Sequence, residues 1–505
     1  MSLFKNISPL PLLIRGLVYL SAALAFSYVT ADPDLWGHIK FGGATWDLGG
    51  VPKTDPYSYT AFGQPWVNHE WLTEVIFFLI YIALGSTGLL AFKFLLGLVI
   101  IHLLSQLYLA REKNMAAYLA HFFLLIPVMA PGFMVRPHLL TFLFLTLLMV
   151  ILQKYYDGDD RAILWAPPLM MVWTNCHGGV LAGMGLLGIV TGVEIIRALA
   201  KKDTRGKRLA IIYALSWLAV MANPYGYELW IFFINSLGTS RPIGEWEPVG
   251  IFSFEKWPLK IMVGLFLLSL FLPTRKRVWE IAIILATIIY GFKHQRHSVL
   301  IAIVMTPYLP MQIGYLLKGW DITARFGRLH KDFRVTAQTI VILFLVGQFY
   351  ALGDKHAAND FKILVEPTIY PTHAAQFMLA NNIDGNILTP IDWGEYIIWK
   401  RPDSKVSADG RFRTVYPEEV LTQGAHLRNG LPKGKELIEN YPTEIILIKK
   451  NEHARKIIAT LPAWGKISDD PISQIYVRKT DPVYERAQKN QLVRPTDPPT
   501  YHFPG

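Results

Sequence analysis

Long apolar runs decide what this chain can be. A helix crosses a hydrocarbon core with about 20 consecutive apolar residues. Runs of that order recur along the first 350 or so positions, beginning with LPLLIRGLVYLSAALAFSYVT. Of the 505 residues, 52% are hydrophobic and 17% are charged, against about a quarter charged in soluble domains. The expectation is a mostly α fold: a polytopic membrane helical bundle of about 11 spans. The spans fall at roughly 10–31, 87–110, 115–131, 138–153, 162–175, 179–199, 209–222, 258–273, 278–291, 298–317 and 335–353. No small-residue cleavage site follows the first run, so it reads as a retained helix and not a signal peptide.

The connections between these runs alternate in charge. One set holds 20 Lys and Arg, among them Lys5 and Arg15 and those of KKDTRGKR at 201–208, which include Lys202. The other set holds seven: Lys40, Lys53, Arg136, Arg241, Lys256, Lys293 and Arg296. The positive-inside rule assigns the first set to the cytoplasm. The expected protein is therefore a multi-pass protein of the cytoplasmic (inner) membrane, with its N-terminus cytoplasmic and its C-terminal domain on the outer, periplasmic face. Much of the net charge of +11 is then a topology signal, and nucleic acid is not an expected partner. The apolar stretch EWLTEVIFFLIYIAL, 70–84, is short, and as a span it would turn KKDTRGKR outward. It is expected to lie at the outer surface or to enter and return, with Glu70 and Glu74 on one helical face. The single cysteine, Cys176, excludes an internal disulfide and a paired-cysteine zinc site.

Three regions are expected. Residues 1–353 form the transmembrane domain, with a first outer loop at 32–86. Residues 354–480 form a small outer α/β domain, in which GNILTP, KVSAD, EIILIKK and SQIYVRK read as strands and HAAQFMLANN and EHARKIIATL as helices. Residues 481–505, rich in Pro and charge, read as an extended tail.

With this topology the unusual polar residues share the outer side: Asp32, Asp34, His38, Asp55, Asn68, His69, Glu70, Arg136, His138, Asn175, His177, Asn223, Lys293, His294, Arg296 and His297. Ionisable groups at a membrane boundary are costly and commonly functional. Each also has a plain structural reading. Asp32 and Asp34 suit a helix cap, and Trp36, Trp46 and Trp66 suit an interfacial belt. VRPH and NPYG suit helix ends broken by proline, and His177 suits packing. Taken together, the acids fit a general base and Arg136, Lys293 and Arg296 fit a phosphate. The Asp-x-Asp of DPD fits a divalent metal, Mg or Mn, with Asp32, Asp34 and His38 as its ligands.

Three stretches carry a family likeness: DPDLWGHIKFGG, VPKTDPYSYTAFGQPWVNHEWLTE and WGEYIIWKRPDSKVSADGRF. With the helix plan, they make the chain resemble the GT-C superfamily of membrane glycosyltransferases, in a poorly characterised bacterial branch. The resemblance implies a transferase that moves a sugar from an outer-leaflet polyprenyl-phosphate donor to a lipid, glycan or protein acceptor. It places the acceptor base on Asp34, or next on Asp32, with Glu70 as a second acid or metal ligand. Substrate contacts then fall to Arg136, His138, His177, Lys293, His294, Arg296, His69 and Glu70. The branch has two tryptophans before the histidine, whereas this chain has Trp36 and then Gly37. Trp36 is expected at the interface or against a sugar. In the outer domain, Asp392, Glu395, Asp409 and Arg411 are candidates for acceptor binding, and Asp-Gly-Arg also suits a tight turn whose Arg pairs with an acid.

A transporter or lipid flippase is the alternative. That class places polar residues at the bilayer midplane in broken, repeated helices, whereas here they crowd to one side. A scaffold subunit would leave Asp34 and the outer arginines without a role.

Overall fold

The computed structural model describes residues 9–201, 204–236, 246–495 and 501–505. Lys5, Lys202 and Arg241, used in the charge argument, lie outside the described residues. The chain divides into two compact units, 1–28 with 91–360, and 29–90 with 361–505. The stretch expected as the first outer loop thus shares a unit with the C-terminal residues.

The first unit is helical. Each segment expected to span is helix in the structure, including Leu10–Ala25, Met115–Met129, His138–Tyr156, Ala166–Cys176, Val180–Lys201, Arg205–Val220, Trp257–Ser269, Val278–Lys293 and Lys331–Ala357. Among the described residues, five helices are long and apolar enough to cross a bilayer, or six if the pair Gln295–Met305 and Leu309–Leu316, bent by 71°, counts as one. The remaining expected spans are shorter helices. Leu10–Ala25 packs against Lys331–Ala357 and Met115–Met129. Lys331–Ala357 leaves Phe333, Ile340, Leu343, Val346 and Phe349 exposed. An apolar face of that extent suits contact with hydrocarbon rather than water.

The second unit is built on a five-stranded sheet. Its strands are β1 (Asn386–Leu388), β2 (Lys405–Val406), β3 (Ile445–Lys449), β4 (Trp464–Asp469) and β5 (Ser473–Arg478), in the order β2-β1-β3-β5-β4. The β1 pairings are parallel and those of β5 antiparallel. Four of these strands match the expected ones, and β4 is the addition. At the β2 edge the early segment joins the sheet: Tyr59 N–H donates to the Val406 carbonyl at 3.1 Å, and Val406 N–H to that of Tyr57 at 3.1 Å. One apolar core is therefore shared by Phe41, Ala61 and Trp66 and by Leu388, Tyr416, Ile446 and Trp464.

Two expectations change here. The tail is not simply extended. It carries a helix, Pro482–Gln488, and its last residues pair with 363–365, Phe503 N–H donating to the Ile363 carbonyl at 2.8 Å. Trp36 is neither interfacial nor open to a sugar. It is fully buried, its indole N–H donates to the Pro504 carbonyl at 2.8 Å, and its ring packs on Tyr370, Tyr396 and Phe503. A large apolar ring with one polar edge gains most where the ring is buried and the N–H is paired. The terminal residues supply that partner.

The Trp71–Leu109 helix contains Gly85 at φ 64°, ψ −159°. This backbone conformation is open to glycine and strained for other residues. It ends a first helical stretch, 71–84, whose Tyr81 packs on Trp399 and Phe503.

Candidate active site

The opening DPD resolves into two different roles. Asp32 is buried, and its Oδ1 accepts the Asp34 N–H at 3.1 Å, a local turn. Asp34 is half-buried and stands at the N-cap of the Leu35–Leu48 helix without using its side chain to cap it. The cap reading therefore suits Asp32 better than Asp34.

Facing Asp34 is a carboxyl from the far end of the chain. Glu395, in the Ile391–Lys400 helix, is 3% exposed, and its Oε2 accepts the Gly37 N–H at 3.0 Å. A methyl group on Gly37 would lie 2.1 Å from that oxygen. Position 37, where the resembled branch carries a second tryptophan, is glycine here, and the Glu395 carboxyl fills the space. A methyl group on Gly410 would lie 2.2 Å from Asp34 Oδ1 and 2.8 Å from Glu395 Oε1, so these two oxygens are at most 5.0 Å apart. Burial first, then the charge of Asp34, pushes the Glu395 carboxyl well above the usual carboxylate range.

Next to Gly410 lies the one arginine that organises the site. Arg411 Nε and Nη2 donate to Asp409 at 2.8 and 2.6 Å, and Nη1 donates to Asp55 Oδ1 at 2.8 Å. Its guanidinium lies 4.8–5.2 Å from the ring centres of Trp66, Phe41 and Tyr57, and the Tyr416 hydroxyl donates to Asp409 at 2.6 Å. Asp-Gly-Arg is thus a turn whose arginine pairs with acids on two chain segments. Bidentate pairing and ring stacking together require arginine rather than lysine.

A second cluster lies along the same early segment. His38 Nδ1 is 3.2 Å from Glu74 Oε1, and the Asn68 amide donates to Glu74 Oε2 at 2.6 Å. His69 Nε2 is 3.8 Å from Glu70 Oε1. Burial opposes charge on His38, but the hydrogen bond to Glu74 and the charges of Glu70, Glu74 and Asp34 outweigh it and raise its pKa. Among the described residues, His38, Glu70 and Glu74 bring one ligand atom each within 4.8 Å of one another. Two metal–ligand bonds of about 2.1 Å reach about 4.2 Å at most, so the three side chains would draw together to hold a divalent ion. One imidazole and two carboxylates suit a transition ion, with Asn68 steadying Glu74. Beside the expected set of Asp32, Asp34 and His38, His38 gathers with Glu70 and Glu74, because the i, i+4 spacing of the two acids turns both to one face.

The other expected residues belong to the first unit. His138 Nε2 contacts the Gly132 carbonyl at 2.7 Å and its ring lies 6.4 Å from that of His177. His177 Nδ1 accepts the Gly179 N–H at 2.9 Å and meets Thr141 Oγ1 at 2.8 Å. Arg136 is half-buried just before the His138–Tyr156 helix. Lys293 is exposed at the end of Val278–Lys293. His294 Nδ1 contacts the Trp246 carbonyl at 3.0 Å, and Arg296 lies over the Trp246 ring.

No protein-family model and no curated protein matches the sequence. Solved structures do. The oligosaccharyltransferase AglB from Archaeoglobus fulgidus, solved with an inhibitory peptide and a dolichol-phosphate, matches with a TM-score of 0.56 at 11% identity, over 86% of this chain and 69% of its own. The chain shares the fold of AglB. ArnT from Cupriavidus metallidurans, bound to undecaprenyl phosphate, matches at a TM-score of 0.48 and 12% identity, over 94% of this chain and 99% of its own. The mycobacterial arabinofuranosyltransferase AftD matches at 0.46 and 13%, over 94% and 40%. At these scores ArnT and AftD add nothing to the fold assignment, which rests on AglB.

Within this fold the Arg411 cluster is a stability element with a measurable cost. Arg411→Ala leaves Asp409 and Asp55 buried without their cation and is expected to destabilise the protein by about 3 kcal/mol or more. Arg411→Lys recovers part of the loss. Denaturant unfolding in detergent, followed by tryptophan fluorescence, measures both; equal stability of all three proteins would contradict the assignment.

Proposed function

We propose that this protein is a membrane glycosyltransferase that moves a sugar from an outer-leaflet polyprenyl phosphate to a lipid, glycan or protein acceptor, with Asp34 as general base. The observation that carries this is the fold shared with AglB together with Asp34, an acid at the start of the first outer segment whose side chain is not spent on capping its helix. The AglB structure, which holds a dolichol-phosphate, supports the donor class.

The acceptor hydroxyl oxygen attacks the anomeric carbon as its proton passes to Asp34. The new C–O bond forms, the bond to the lipid phosphate breaks, and the phosphate leaves with the electron pair, so the anomeric configuration inverts. Phosphate contact is assigned to the cations of the first unit, Arg136, Lys293 and Arg296, for their chemistry. His38, Glu70 and Glu74 are the residues that would hold a divalent ion, which would supply positive charge for an anionic substrate group. The transporter reading is supported less, since the fold is that of glycosyltransferases. We further propose that the protein lies in the inner membrane with 361–505 on the periplasmic face, as the loop charges suggest.

Asp34→Asn is expected to lower transfer at least 100-fold while leaving the unfolding midpoint and donor binding close to wild type. Turnover within threefold of wild type in a purified assay would remove Asp34 from the base role. Orientation has its own test. In intact cells, a cysteine at Asp403 is expected to react with an impermeant thiol reagent and one at Lys207 to be protected; the reverse pattern would overturn the topology.

A further inference from the structure

The transferase step as proposed uses Asp34 and leaves the second carboxyl beside it unused. Glu395 is held firmly. Its Oε2 takes the Gly37 amide proton at 3.0 Å, Gly37 is the one residue type that leaves room for it, and it is 3% exposed. Its Oε1 and Asp34 Oδ1 crowd the same point beside Gly410. Burial and a neighbouring acid both disfavour charge on Glu395.

The surroundings of Glu395 favour its neutral form. Glu395 faces Asp34 from the start of the Leu35–Leu48 helix, Asp409 and Arg411 from the turn after β2, and Glu74 from the Trp71–Leu109 helix. Arg411 is the single cation in that set. It is committed to Asp409 through two hydrogen bonds and to Asp55 through a third. Little of its charge remains to stabilise an ionised Glu395. Asp34 is the less buried of the two carboxyls.

We infer that Glu395 is a positioning residue for Asp34: a neutral carboxylic acid, seated on the Gly37 amide beside the proposed base. This rests on the transferase reading with Asp34 as base. There Asp34 takes the proton of the acceptor hydroxyl. When the pH rises far enough to ionise Glu395, a negative charge appears beside Asp34, close to where an anionic donor must react, and transfer declines. The raised pKa of Glu395 agrees with its neutral form.

The test compares the full-length protein in proteoliposomes with its Glu395→Gln and Glu395→Leu variants. Glutamine is neutral at every pH and keeps an oxygen for the Gly37 amide. Glu395→Leu is expected to lower kcat/KM about tenfold or more, and Glu395→Gln to recover most of that loss. The alkaline limb of the wild-type kcat/KM profile is expected to move up by at least one pH unit in Glu395→Gln; an unmoved limb would overturn the inference. A role in packing alone would not shift that limb. A second readout needs no turnover. The infrared difference between wild type and Glu395→Gln at pH 7 is expected to show a protonated-carboxyl C=O band in the wild type only. Its absence overturns the inference even where transfer is normal. Its presence in a protein that transfers nothing upholds the proton assignment and counts against the transferase reading instead.

Discussion

The guanidinium of Arg411 is the interaction on which the second unit depends. One buried cation is shared by Asp409, two residues before it, and Asp55, more than 350 positions earlier, and it lies among the rings of Phe41, Tyr57 and Trp66. An ion pair in a dry interior gains little net stability over an apolar contact, but breaking it strands a charge. Its value is in geometry. It fixes the 53–66 segment against the edge strand β2, and it fixes the turn that carries Gly410. Because Asp34 and Glu395 both crowd Gly410, the geometry of the acid pair follows from the placement of one arginine.

The charges of the site follow a simple order. Asp409 and Asp55 share the single positive charge of Arg411, and Glu395 is pushed toward its neutral form by burial and by Asp34. His38 is drawn toward its charged form by Glu74, Glu70 and Asp34. Asp34 is half-buried and its side chain does not cap the helix it begins, as proposed for a base. The His38, Glu70 and Glu74 group lies within the same unit, where a bound ion would add the positive charge that the acids lack.

How much of this the sequence disclosed depended on the range of each interaction. Apolar runs of about 20 residues and the apolar strand EIILIKK carry their own signal, and those elements are present. β4, WGKISD, has a glycine and two charges and a shifted register at Lys466/Ser468, so its alternation is too weak to read. The Glu70 and Glu74 pair is legible from its i, i+4 spacing, but the third member of that group, His38, lies more than 30 positions away, so the spacing alone does not announce it. Trp36 reads as interfacial in isolation; its burial depends on Phe503 and Pro504, which no local pattern announces. Glu395 shows the limit most clearly. Nothing in DWGEYIIW says that its carboxyl meets the start of the chain, although the glycine at position 37, where tryptophan was expected, marked that something else fills the space.

The central claim is that this chain breaks a sugar–phosphate bond rather than carrying a lipid across a bilayer. Purified protein in proteoliposomes, supplied with a radiolabelled polyprenyl-phosphate-linked sugar and a hydroxyl acceptor, tests it directly. The account predicts acceptor-dependent release of free polyprenyl phosphate, one per sugar transferred, with inversion at the anomeric carbon. Movement of intact donor between leaflets without bond cleavage, across a panel of such sugars, would contradict it.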